Sequence, residues 1–100
     1  MKVAISSVGK DPESNVSEVS GRAKYYLVFE NKKLVKTMKN PFAIGGGGAG
    51  YGVAKMLERE DVDLVVSGRI GDNMKNSLKS AGIRFKEVNI KKVKEALEEV

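Results

Sequence analysis

The sequence predicts a single α/β domain built on a mixed five-stranded sheet, and three observations carry that prediction. Short runs rich in β-branched and aromatic residues recur, among them "KVAIS", "KYYLVFE" and "DLVVSG". The later runs alternate with segments whose apolar residues fall at helical spacing. The resulting order, βββαβαβα, links strands three, four and five through helices, which demands right-handed crossovers and a parallel portion.

Each element has its own justification. Residues 2–6 form a short apolar run suited to a central strand. Residues 9–22, "GKDPESNVSEVSGR", carry turn residues and no apolar stripe, so a long loop is expected. Residues 24–30 read as a strand buried on both faces. Asn31 and Lys32 make a tight turn, and "KLVKTMK", 33–39, returns as the second arm of a hairpin. Its lysines suit an edge strand. Asn40 and Pro41 stop that strand.

Val53, Ala54 and Leu57, with Met56 alongside, predict a helix over 49–60. Residues 63–68 are the next strand. Residues 71–82 read as a helix with Asp72 as N-cap, Met74 and Leu78 on one face, and Gly82 as terminator. "IRFKEV", 83–88, alternates as a strand does. Val93, Ala96, Leu97 and Val100 form one stripe of a last helix over 91–100.

If strand four packs beside strand one, the loops 9–22, 40–50 and 67–73 all emerge at the same rim. That is the edge where open α/β sheets bind ligands. A small internal echo, "VSGRA" at 19–23 and "VSGRI" at 66–70, puts a Gly-Arg from each copy on that rim.

Composition narrows the chemistry. One hundred residues suffice for one core, and the 41% hydrophobic fraction is ordinary for a folded domain. No apolar run is of membrane-spanning length, and the apolar part of "MKVAISSVGK" is short for a signal peptide, so the expected compartment is the cytoplasm. There is no Cys and no His, which excludes thiolate nucleophiles, triads and most zinc sites. A net charge of +5 favours anionic partners.

The stretch "AIGGGGAGYG", 43–52, holds six glycines in ten positions. Gly45, Gly47 and Gly50 match G-x-G-x-x-G in form. Pro41 and a loop precede them, however, and the next strand ends in Ser67-Gly68 rather than an acid, unlike a dinucleotide fingerprint. No Gly-Lys-Ser/Thr follows, so a P-loop is excluded. Two readings remain open. The glycines form a flexible connector that lets the backbone turn and pack closely. Or they form an anion seat, with N–H groups converging at the start of a helix. The loop 67–73 repeats the arrangement, with Gly68 and Gly71 flanking Arg69 ahead of another helix. Arg22 and Lys10 can join from the first loop, and Arg69 has Asp72 and Asp11 as alternative ion-pair partners.

Taken in order, "GRAKYYLVFEN", "NP", "GGGAGYGVAKML" and "DLVVSGRIGDNMKNSLKSAGI" resemble the dinitrogenase iron–molybdenum cofactor biosynthesis family. That is the NifX/NafY-like domain, also found at the C-terminus of NifB. The resemblance covers about residues 1–97. It implies a ribonuclease H-like three-layer α/β/α fold, sheet order 3-2-1-4-5 with strand two antiparallel, and a single domain over 1–100. It also implies a binding or carrier protein rather than an enzyme, one that handles anionic metal–sulfur (molybdenum/iron) clusters or their precursors and meets cofactor-assembly proteins. With no Cys or His, what survives is non-covalent capture of a preassembled cluster, or another small anion. The expected site is Arg22, Gly46, Gly47, Gly48, Gly50, Arg69 and Gly71.

Two further classes stay as alternatives. Asp11 and Asp72 on the rim allow a metal-dependent nucleotide or phosphoester enzyme, although the first strand lacks the carboxylates that ribonuclease H-type metal sites use. Lys24, Tyr25, Tyr26 and Phe29 could mimic a nucleic-acid stacking face. Helices over both sheet faces would bury those rings instead. The lysines of the hairpin arm (Lys32, Lys33, Lys36 and Lys39) read as edge protection. Oligomeric state is not legible.

Overall fold

The computed structural model describes residues 1–44 and 48–100. Five strands form one sheet in the order β3-β2-β1-β4-β5. They are β1 (Lys2–Ser7), β2 (Tyr25–Glu30), β3 (Lys33–Lys39), β4 (Leu64–Ser67) and β5 (Arg84–Glu87), with helices α1 (Ala49–Arg59), α2 (Asp72–Ser80) and α3 (Val93–Glu98). β2 runs antiparallel to both β1 and β3, whereas β4 is parallel to β1 and to β5.

Strand alternation sorts the core into two halves. Ala4, Tyr26, Val28 and Val65 point to one face, where α1 and α2 bury Val53, Ala54, Leu57, Met74 and Leu78. Val3, Ile5, Leu27, Phe29 and Val66 point to the other, under Val93 and Ala96 of α3. Both faces are covered, so β1 and β2 are apolar nearly throughout. Tyr26 and Phe29 are core residues.

The hairpin turn is as expected, with φ +52° at Asn31 and +69° at Lys32. The Lys32 ammonium donates to the Leu97 and Val100 carbonyls at 2.6 and 2.8 Å, tying the turn to the end of α3. β3 lies at the sheet edge with its lysines exposed. Gly82 leaves α2 at φ +75°. Asp61 does the same for α1 at φ +58°, a left-handed exit by a non-glycine residue that the sequence did not signal.

Two boundaries differ from expectation. Gly71, not Asp72, is the N-cap of α2, because the Gly71 carbonyl already accepts the Lys75 N–H at 2.9 Å. Asp72 is instead an acid in the first turn, where the helix dipole favours it. The last helix starts at Val93 rather than at 91. The Lys91 carbonyl is held at 2.8 Å by the Val16 N–H, and Lys92 bridges Asn15. The Glu95 carboxylate then accepts the Lys92 N–H at 2.8 Å and sets the start.

The long first loop is shaped by this pairing. It doubles back through a Val8 N–H to Asn15 carbonyl bond at 3.0 Å and a Ser7–Val16 bridge. From there it runs towards β4.

Candidate functional site

The three expected loops meet at one edge of the sheet. The first and third are stitched backbone to backbone. Gly68 N–H donates to the Ser17 carbonyl at 3.0 Å and Arg69 N–H to the Glu18 carbonyl at 2.6 Å. Ser20 N–H returns to the Arg69 carbonyl at 2.9 Å. The two "VSGR" copies therefore lie side by side, with Val19 bridging Arg69. Gly68 is a packing requirement: a β-carbon there would stand 2.5 Å from the Glu18 carbonyl oxygen and 2.6 Å from that of Ser17.

Buried polar groups fix the same region. Ser6 and Ser67 share a hydroxyl–hydroxyl bond of 2.6 Å where β1 and β4 end. The Tyr26 hydroxyl donates to the Ser20 carbonyl at 2.7 Å and also meets the Ser20 hydroxyl. Burial pushes the Tyr26 phenol far above its ordinary range, so it stays neutral. Asn40, which the sequence suggests only as a strand stop, ties the first loop to the second. Its amide nitrogen donates to the Gly21 and Ala23 carbonyls at 3.1 and 2.8 Å, and its oxygen accepts the Phe42 N–H at 3.0 Å.

Two helices begin at this edge, next to each other. A β-carbon on Gly50 would lie 2.9 Å from Met74 Cβ and 3.1 Å from Met74 N. The first intrahelical bond of α1 runs from Gly52 N–H to the Gly48 carbonyl, and that of α2 from Lys75 N–H to Gly71. Neither N-cap carries a capping side chain. The amides of residues 49–51 and 72–74 thus have no intrahelical acceptor, and both positive dipole ends face the same side. Gly48 reaches its cap at φ +86°, a conformation that favours glycine.

Of the expected site residues, Gly46 and Gly47 lie outside the described residues. Gly48, Gly50 and Gly71 stand at the two helix starts. Gly21 packs on α1, its would-be β-carbon 3.6 Å from Gly50 N, which brings Arg22 to that helix start. Arg22 donates to the Phe42 carbonyl at 3.3 Å. Arg69 is exposed and, among the described residues, forms no ion pair with Asp72 or Asp11. In the hollows lined by described residues the two guanidinium groups open differently: Arg69 beside Lys86, Lys91 and Glu87, and Arg22 beside Lys24 and Lys39.

Glu87 supports the third loop. It accepts the Ile70 N–H at 2.8 Å and lies 3.6 Å from the Lys75 ammonium. That backbone bond, helped by the charges of Lys75 and Arg69, holds its carboxyl below the usual range. Asp11 Oδ1 accepts the Glu13 N–H at 2.8 Å inside its own turn. Among the described residues no group of three or more Asp or Glu side chains is placed to hold a metal ion.

The model of the dinitrogenase iron-molybdenum cofactor family matches residues 1–100. The chain belongs to that family. Among solved structures it resembles a candidate NifB protein from Thermotoga, placed in the DUF35 family, at 32% identity and a TM-score of 0.84, covering 97% of this chain and 84% of that one. The apo form of the orange protein from Desulfovibrio gigas superposes with a TM-score of 0.90 at 21% identity, covering 97% and 83%. That second likeness shows the fold alone. No curated protein matches the sequence.

Within this member of the dinitrogenase iron-molybdenum cofactor family, sequence reasoning missed the grouping of Lys24, Tyr25 and Lys39 with Arg22 around one hollow. Lys39 reads along the chain as an edge-strand lysine. Only the antiparallel register, which sets it opposite Tyr25, shows where it sits.

Proposed function

We propose that the protein is a non-catalytic carrier for an anionic metal–sulfur cluster or cluster precursor, captured whole at the edge where α1 and α2 begin. One observation carries this reading: two uncapped helix starts stand side by side, Gly21 brings Arg22 to the start of α1, and the loop that leads into α2 carries Arg69 and is stitched to the loop that carries Arg22. Convergent N–H groups and guanidinium charge suit a compact anion. Family membership supports this class of cargo. Because the chain has neither Cys nor His, the cluster keeps its own inorganic sulfur shell and is held by hydrogen bonds to sulfur. Gly46 and Gly47, which lie outside the described residues, belong to the same proposed set of cargo-binding residues. We read the three-layer architecture as ribonuclease H-like and place the carrier in the cytoplasm, passing cargo to cofactor-assembly proteins. No helix among the described residues is long and apolar enough to cross a membrane.

Tetrathiomolybdate, a stable anionic metal sulfide, is a direct probe, followed by its visible spectrum under anaerobic conditions. Saturable binding that weakens with salt and falls several-fold in Arg69→Ala supports the carrier reading. Absence of binding, or binding indifferent to both arginines, rejects it. A phosphatase and nuclease assay with magnesium or manganese tests the rival class: turnover abolished by Asp72→Asn would replace the carrier with a phosphoester enzyme.

A further inference from the structure

A hollow of about 760 Å³ opens where the β2–β3 ladder ends and the chain turns away. It has the size of a small-molecule site. Arg22, Lys24 and Lys39 line it, and among the described residues no acidic side chain does. The remaining wall is largely apolar, made by the Tyr25 ring, Pro41 and Ile44. Ile44 is 93% exposed, an aliphatic side chain left in water at the mouth.

The scaffold beneath is fixed. Tyr25 and Lys39 stand directly opposite each other in the antiparallel ladder, so their side chains share a face. The Asn40 N–H to Lys24 carbonyl bond at 2.9 Å extends the ladder by one step, and the Asn40 side chain locks residues 21–23. The Lys10 ammonium lies over the Tyr25 ring, 5.8 Å from its centroid, and adds further positive charge at the edge.

Among the described residues Lys2, Lys10, Lys32, Lys33, Lys79 and Lys86 form no ion pair, whereas six other lysines do. Lys36 pairs with Glu60, Lys91 with Glu99, and Lys92 and Lys94 with Glu13. Lys24 and Lys39 form no ion pair among the described residues, although they flank the same hollow. Clustered like charges raise the local potential and favour an anion. A bare inorganic anion would use the cations and leave the apolar wall wet; a neutral apolar molecule would do the reverse.

We propose that this hollow binds an organic anion that joins a ring-sized apolar body to two or more negative charges. Lys24, Lys39 and Arg22 meet the charges; Tyr25, Pro41 and Ile44 pack against the body. Of the residues proposed to hold the cluster, only Arg22 is among the described residues that line this hollow.

The probe is 1-naphthyl phosphate, titrated calorimetrically into the full chain, with inorganic phosphate and 1-naphthol as its two halves. The expected result is an affinity at least tenfold above either half. The double variant Lys24→Gln, Lys39→Gln keeps the apolar stems and should lose at least tenfold with an unchanged melting temperature. Arg69→Ala should leave naphthyl phosphate binding intact while weakening tetrathiomolybdate capture, which separates this site from the cluster edge. AMP and benzene-1,3,5-tricarboxylate, used as competitors, distinguish a phosphorylated ring from a polycarboxylate as the natural class. Equal affinity for whole probe and halves, indifference to the double lysine variant, or an equal loss in Arg69→Ala would overturn the assignment.

Discussion

Gly50 and Met74 are in such close approach that no β-carbon fits between them: one built on Gly50 would sit 2.9 Å from Met74 Cβ and 3.2 Å from Met74 Cα. This contact sets α1 and α2 side by side at their first turns. It therefore also sets the distance between the two rows of first-turn amides, which have no intrahelical acceptor, on which the carrier reading depends.

Gly50→Val should push the helices apart at their starts. Overpacking of this kind costs about 1–3 kcal/mol. Chemical denaturation should show that loss. Anion capture should fall further than in a variant of equal stability altered elsewhere, because the two amide rows separate.

Gly68→Ala meets backbone rather than a movable side chain. Its β-carbon would collide with the Ser17 and Glu18 carbonyl oxygens, which already accept the Gly68 and Arg69 amides. The stitch between the loops should open. Hydrogen exchange should then show faster exchange at Arg69 and Ser20, with protection of β1 and β2 unchanged.

The two N-cap glycines should respond differently. Gly48 sits at φ +86°, so Gly48→Ala should cost about 1 kcal/mol through strain alone. Gly71 has extended backbone at φ −67°, ψ 157° and open space around it. Gly71→Asp can adopt that geometry and supply the missing cap, for a gain of a few tenths of a kcal/mol. Its carboxylate would occupy the amides of α2 and repel the cargo. A variant that melts higher yet binds tetrathiomolybdate less well is the expected outcome; unchanged binding would remove α2 from the site.

Glu87 gives the fold an acid-sensitive point. Its carboxyl is held low by the Ile70 N–H and then by Lys75 and Arg69. A depressed carboxylate contributes stability above its unfolded value, near pH 4.3, and loses it as pH falls through the folded value. Glu87→Gln keeps an acceptor for Ile70 but not the charge. Between about pH 5 and pH 3 its stability should fall less steeply than that of the parent chain. Identical slopes in acid titrations of both would show that Glu87 does not couple to folding.

Much of the architecture was legible along the chain because alternation, helical spacing and turn chemistry are local. Val53, Ala54 and Leu57, Met74 and Leu78, and Val93 and Ala96 are the buried faces of their helices, as their spacing requires. The lysines of β3 mark a sheet edge, and the Asn31-Lys32 turn has the positive φ angles expected of a tight hairpin. The meeting of the three loops also follows from the element order, since the strands concerned leave the sheet on one side.

What the sequence by itself determined, then, is the order of elements, which faces are apolar, and the absence of thiol and imidazole chemistry. Only the tertiary structure decided that Gly68 is a close-packing residue and that Asn40 clamps two loops. It alone set Lys39 beside Tyr25 and turned Arg22 and Arg69 into different hollows. The physical reason is common to all of these. Each depends on contacts between residues far apart in the chain, and such contacts are set by register and helix packing, which leave no local pattern in the order of amino acids.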